Sequence, residues 1–295
     1  MQRRLEASIW MLAAVVILGA ACRADAGDLF YGAEAGLFYD NNVSRAQPGA
    51  DVAGDSGLSA DATLGAAYPI GEHDTLSLSA NLRAAQFQRF HGLDVAALGG
   101  TLSYRTKFGL GPYAPRAAVN GFLAAESYGN SVRNGQRSRL SLELGRRFSA
   151  QWDVSGGFAA DRFDASKVQP ALPQSSRDAF SIQGRSLFAR AEYAWSERWL
   201  GYLGVSARRG DVVSSNRLDP EIFEYSSAVV ADPAFGPDYF AYKFAGRTSG
   251  ARFGASLAQS PHASLNIGLT REITNSQGGI DYRSTQFNAL FIYTD

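Results

Sequence analysis

Between Ser56 and Ile70 the chain reads SGLSADATLGAAYPI. Leu58, Ala60, Ala62, Leu64, Ala66, Tyr68 and Ile70 fall on one side, and Ser59, Asp61, Thr63 and Gly65 on the other. A period of two marks a strand with one dry face and one wet face. The pattern recurs in TLSLSANLR (75–83), GGTLSYRTKF (99–108), RLSLELGRRF (139–148) and SLNIGLT (264–270). About twelve such segments begin near residues 29, 56, 75, 95, 115, 137, 152, 180, 199, 240, 263 and 281. Helical periodicity is scarce, and beyond the N-terminal segment no apolar run approaches the roughly 18 residues of a membrane helix. A chain of this kind can meet a bilayer only as a closed barrel, because lipid offers no partner to unpaired backbone groups.

The connections separate that barrel from a soluble sandwich. Short turns at 69–74, 109–115, 149–151, 196–198 and 259–262 alternate with more polar and generally longer links at 41–55, 91–94, 129–136, 168–179, 210–239 and 275–279. Strict alternation is the mark of an up-and-down barrel with tight turns at one end and loops at the other. Trp152, Trp195 and Trp199 all flank short turns, beside Tyr68, Phe108, Tyr113 and Phe148. Such rings gather at bilayer interfaces, since they present an apolar body and a polar edge. Gln86–Gln88 and Arg185–Leu187 read as phase slips, as if those strand ends projected beyond the lipid.

The first 26 residues have the layout of a cleaved secretory signal: a basic MQRR, an apolar run over about 9–21, and the small-x-small Ala24-Asp25-Ala26. The expected mature domain is 27–295, a length that suits one large β domain or two smaller ones. The single cysteine, Cys22, falls inside the leader, so disulfide and thiolate–metal chemistry are not expected of the mature chain. The whole chain has 28 basic and 28 acidic residues; removing Arg3, Arg4, Arg23, Glu6 and Asp25 leaves 25 against 26. A nucleic-acid partner would require a clustered basic excess, and none is expected.

These features together resemble the Gram-negative outer-membrane β-barrels of the porin-like class. In the closing stretch QFNALFIYTD, Phe287, Ala289, Phe291 and Tyr293 occupy alternate places and are similar to that class's assembly signal, although Asp295 stands where phenylalanine is usual. The stretch GLFYDNNVSRA (36–46) is similar, over that segment alone, to the first strand and loop of barrels linked to surface polysaccharide or protein export. The resemblance implies an all-β, antiparallel up-and-down transmembrane barrel of about 12 strands. It also implies outer-membrane lipid, periplasmic chaperones and the barrel-assembly machinery as partners.

With the polar faces turned inward, the lumen collects Arg83, Arg105, Lys107, Arg116, Arg139, Arg147, Arg190, Arg208 and Arg252 against Asp61, Glu126, Glu143, Glu192 and Glu272. One reading is a narrow channel for small polar or anionic solutes. The other is a closed barrel whose charges pair across a modest lumen, since buried charges need partners. Inward Gly65, Ala97, Gly99, Gly145, Gly157, Gly204, Gly254 and Gly268 would leave room for water. The long link at 210–239 is acidic and aromatic, and Asp219, Glu221, Phe223, Glu224 and Tyr225 are its candidate binding or constriction residues. It reads either as a lid over the lumen or as a solvated loop through which a closed barrel meets other surfaces. A third reading, a hydrolase at the outer rim, would rest on His91, with Asp94 three residues on; no motif ties it to a serine nucleophile. No cofactor, metal site or enzymatic activity is expected.

Overall fold

The computed structural model describes residues 27–47, 49, 51–166 and 178–295; the expected leader and most of the 168–179 link lie outside the described residues. The wall consists of β1 (Asp28–Asp40), β2 (Asp55–Pro69), β3 (Asp74–Phe87), β4 (Val95–Lys107), β5 (Arg116–Tyr128), β6 (Gly135–Arg147), β7 (Trp152–Ala165), β8 (Ile182–Ala194) and β9 (Trp199–Arg217). A helix, α1 (Pro220–Tyr225), and a short strand, β10 (Ala228–Ala231), precede β11 (Tyr239–Ala258), β12 (Ala263–Ser276) and β13 (Asp281–Thr294). Each wall strand starts within two residues of its expected position. No described helix is long and apolar enough to cross a membrane.

Wall neighbours are antiparallel, and β1 pairs with β13 from Gly32↔Thr294 to Asp40↔Gln286. That pairing closes the sheet into a 12-stranded barrel and removes the edge that β13 would otherwise leave open. Leu58, Leu78, Leu102, Leu123, Leu140, Leu187, Leu203 and Phe253 point outward, each more than half exposed. An apolar belt of this extent around a closed barrel is a lipid-facing surface. At the short-turn end, Tyr68, Phe108, Tyr113, Phe148, Trp152, Trp195 and Trp199 are exposed. Tyr193 lies between Trp152 and Trp195, at ring-centre distances of 4.8 and 6.2 Å. Phe287, Phe291 and Tyr293 of the closing strand also lie on the outer face.

The supposed phase slips are not slips. Ladder partners share a face, and β8 pairs in unbroken register with β9 from Gly184↔Gly210 to Ala194↔Leu200. Arg185 therefore stays on the outer face with Leu187, and Ser186 on the inner. The polarity of the outer face changes near that end, while its periodicity does not.

The opposite end is capped. β9 runs seven residues past its last pair with β8, and β11 begins seven residues before its first pair with β12. These extensions pair with each other, and β10 adds to β11 from Ala228↔Lys243 to Ala231↔Phe240. The result is a small three-stranded sheet beyond the wall, where the sequence reading placed a loop. One side packs Val212, Tyr242 and Phe244 with Val229, Ile222 and Ile280. The other packs Ala228, Val230 and Ala241 with Val132, Ala179 and Phe180. Burying a large apolar side chain contributes roughly 1.5–3 kcal/mol, enough over two clusters to order the segment.

Candidate functional site

The inward faces carry every charge expected there, and several more. Cross-strand register adds Glu34 opposite Asp61, Asp153 opposite Arg147, Asp161 opposite Arg139 and Arg137 opposite Phe163. The same register turns Asp28, Asp40 and Asp55 inward at the two ends of β1 and β2, so ten basic side chains face eleven acidic ones and the excess in the sequence list disappears. Four pairs join inward side chains of the wall strands: Arg83–Asp61 at 3.9 Å, Arg116–Asp153 at 2.6 Å, Arg137–Glu126 at 2.5 Å and Arg208–Asp161 at 2.9 Å.

Two of these pairs share one construction. Arg116 of β5 crosses Gly145 of β6 to reach Asp153 of β7, with hydrogen bonds of 2.9 and 2.6 Å. Arg208 of β9 crosses Gly184 of β8 to Asp161 of the same β7, at 3.3 and 2.9 Å. A Cβ on Gly145 would lie 3.0 Å from the Arg116 guanidinium, and one on Gly184 only 2.3 Å from Arg208. Gly65, Gly157 and Gly254 likewise lie under Phe30, Phe188 and Tyr202. The space above these glycines holds side chains folded flat on the wall, where the sequence reading left water.

Six inward bases, Arg105, Lys107, Arg139, Arg147, Arg190 and Arg252, take part in none of the four wall pairs. Arg190 and Arg252 flank Gly204 in one register row, and a Cβ on Gly204 would meet nothing closer than 3.8 Å. The Arg252 guanidinium sits 5.3 Å above the Tyr202 ring centre, and the Tyr202 hydroxyl donates to Asn266 Oδ1 at 3.1 Å. Stacking on an aromatic face leaves guanidinium N–H groups free for an anion. A cavity of about 560 Å³ includes Arg139, Arg190, Arg252, Glu143, Glu192 and Glu272 in its lining. A second, of about 610 Å³ near the short-turn end, is bordered by Arg105, Lys107, Arg116, Asn120, Glu143 and His73.

The cap reaches all five other loops of its end. Ser215 N–H donates to the Ser44 carbonyl at 2.8 Å, and Arg217 lies 3.6 Å from Asp51. Phe235 packs on Phe90 at 5.0 Å, and Ile280 joins Ile222 and Phe244. Lys243 Nζ donates to the Ser181 carbonyl at 2.5 Å. Arg133 pairs with the fully buried Asp232 at 2.5 Å, beneath the rings of Phe180 and Phe235. Since those loops ring the rim, a segment touching all of them spans the mouth. Burial pushes the Tyr242 phenol above its ordinary value.

The loop candidates occupy the outside of this cap. Asp219 caps α1, accepting from the Glu221 and Ile222 amides at 2.9 and 3.3 Å. Glu221, Phe223, Glu224 and Tyr225 are exposed on α1, and Tyr225 lies over Gly278. The loop carboxylate that reaches an arginine deep in the fold is Asp232, whose partner Arg133 belongs to a neighbouring loop. His91 is exposed, with Nδ1 3.4 Å from Asp94, whose other oxygen accepts the Phe87 amide at 2.7 Å.

No family model matches the sequence, and no curated protein does. Among solved structures, an outer-membrane channel from Pseudomonas putida F1 aligns at 13% identity with a TM-score of 0.55, over 92% of this chain and 97% of that one. The NanC porin aligns at 7% identity and TM-score 0.48, over 89% and 98%. An anion-selective porin from Comamonas acidovorans aligns at 9% and 0.43, over 92% and 99%. The first of these likenesses is one of fold, and it agrees with the closed barrel and lipid-facing belt described above: this chain has the architecture of a bacterial outer-membrane β-barrel.

Proposed function

We propose that the protein is an outer-membrane channel for small polar solutes, with a lumen that favours anions. The observation carrying this reading is the set of six inward bases outside the wall pairs, Arg105, Lys107, Arg139, Arg147, Arg190 and Arg252, of which all but Arg147 line the two inner cavities. Fixed cationic groups in a low-dielectric passage raise the local concentration of anions. The cap sets access from the loop end, so passage through the barrel is small while it is seated. Planar-bilayer recording tests this: stepwise currents are expected, larger after deletion of 218–238. A folded barrel that conducts in neither form overturns the channel.

The second reading is a closed barrel acting through its outer surface. The cap favours it, because two apolar clusters and the buried Arg133–Asp232 pair give that end a fixed shape. It predicts that deletion of 218–238 abolishes function without producing conductance.

A further inference from the structure

Three arginines stand side by side on the outside of the barrel. Arg185 of β8 is the ladder partner of Arg209 of β9, and Arg209 is the partner of Arg247 of β11. All three are exposed. Like charges directly opposite one another on a sheet repel and are destabilising. The carboxylates available nearby are already engaged: Arg162 holds Asp164 at 2.7 Å, while Lys243 and the Gln183 amide hold Asp211 at 3.6 and 3.0 Å. No ion pair to the three arginines forms among the described residues. The row lacks a counter-anion.

Its height identifies where that anion would come from. Trp199 pairs with Leu257 at the aromatic end, and Arg209 pairs with Arg247 ten residues along each strand. At about 3.3 Å per residue and a tilt near 40°, ten residues climb roughly 25 Å, the height of the apolar band of an outer-membrane barrel. Between them the outer face of β9 carries only Gly201, Leu203, Val205 and Ala207. The arginines begin where the hydrocarbon ends, at the headgroup level of the outer leaflet. Below and beside them, a hollow of about 1220 Å³ runs from Arg185 and Arg209 to the outward Leu102, Leu123 and Leu140.

We infer that this face binds a phosphorylated lipid of the outer leaflet, the arginines taking its phosphate groups and the leucine hollow its acyl chains. Guanidinium groups hold phosphate through paired N–H donors, and each cation near a membrane surface adds about 1 kcal/mol. This site lies outside the lumen and does not depend on conduction.

The test is lipid binding by the detergent-purified, full barrel, followed by native mass spectrometry, with diphosphorylated lipid A as probe and its dephosphorylated form as comparison. The intact protein should retain the phosphorylated lipid at least tenfold better. Replacing Arg185, Arg209 and Arg247 together by glutamine should weaken retention about a hundredfold, the product of three such contributions. If that variant loses its heat-dependent gel shift, Arg209→Gln alone, at the centre of the row, should weaken it severalfold. Equal retention of both lipids, or unchanged retention by the folded variants, overturns the proposal. Displacement of the lipid by inorganic phosphate at equal concentration also overturns it, because the site would then be one for a soluble anion.

Discussion

Arg116 reaches Asp153 across the bare backbone of Gly145, two strands away, and Arg208 reaches Asp161 across Gly184 from the opposite side of β7. In each case the glycine is a floor for a guanidinium. An added methyl must push the arginine tip aside, and the closer approach should cost more. Gly184→Ala is expected to destabilise the barrel by about 1–2 kcal/mol and Gly145→Ala by less than about 1 kcal/mol. The temperature at which the folded gel band disappears orders the two. A larger loss for Gly145→Ala would contradict the assignment.

The cap hangs on a buried charge. Asp232 is fully buried, with Arg133 and Ser215 on its oxygens, the Ser215 hydroxyl at 2.6 Å. Arg133→Met leaves that carboxylate unpaired at a cost of about 3–5 kcal/mol, concentrated in the cap. Limited proteolysis should then cut within 218–238 while the barrel stays folded. Asp232→Asn sets an amide donor against donors that the carboxylate now accepts from, and removes the Arg133 counter-charge, so it should open the same segment to cleavage.

Gly278 has φ +76°, and a Cβ there would meet the Tyr225 ring at 2.4 Å. Both the backbone strain and the clash fall where α1 meets the β12–β13 link. Gly278→Ala should release α1 from the rim, raising amide hydrogen exchange over 220–225 and leaving the wall strands unchanged. Uniform exchange in variant and parent would show that this contact does not hold the cap.

Much of the barrel was legible because lipid and water impose opposite demands on alternate residues. TLSLSANLR and RLSLELGRRF state their facing without help from the rest of the chain. The inward charges of β3 to β6, Arg137 apart, follow from that facing. Asp153 and Asp161 were harder to see, since WDVSGGFAADRF carries glycines on both faces and its alternation is faint. Their partners lie two strands away, set by register that local sequence does not state. The cap was hidden for a related reason. DVVSSNR has no clear period, and AVVA gains its meaning as β10 only through pairing with β11. Arg185 read as part of a break in phase because a lipid-facing position was expected to stay apolar along its whole length.

The lumen charge is tested by the reversal potential of the barrel lacking 218–238, held between unequal concentrations of potassium chloride. The account predicts a clear preference for chloride, shifted toward potassium when Arg105 and Lys107 are both replaced by glutamate. A barrel that is folded yet silent, or a preference that those two changes leave unmoved, would contradict a channel governed by the bases its wall leaves outside the ion pairs.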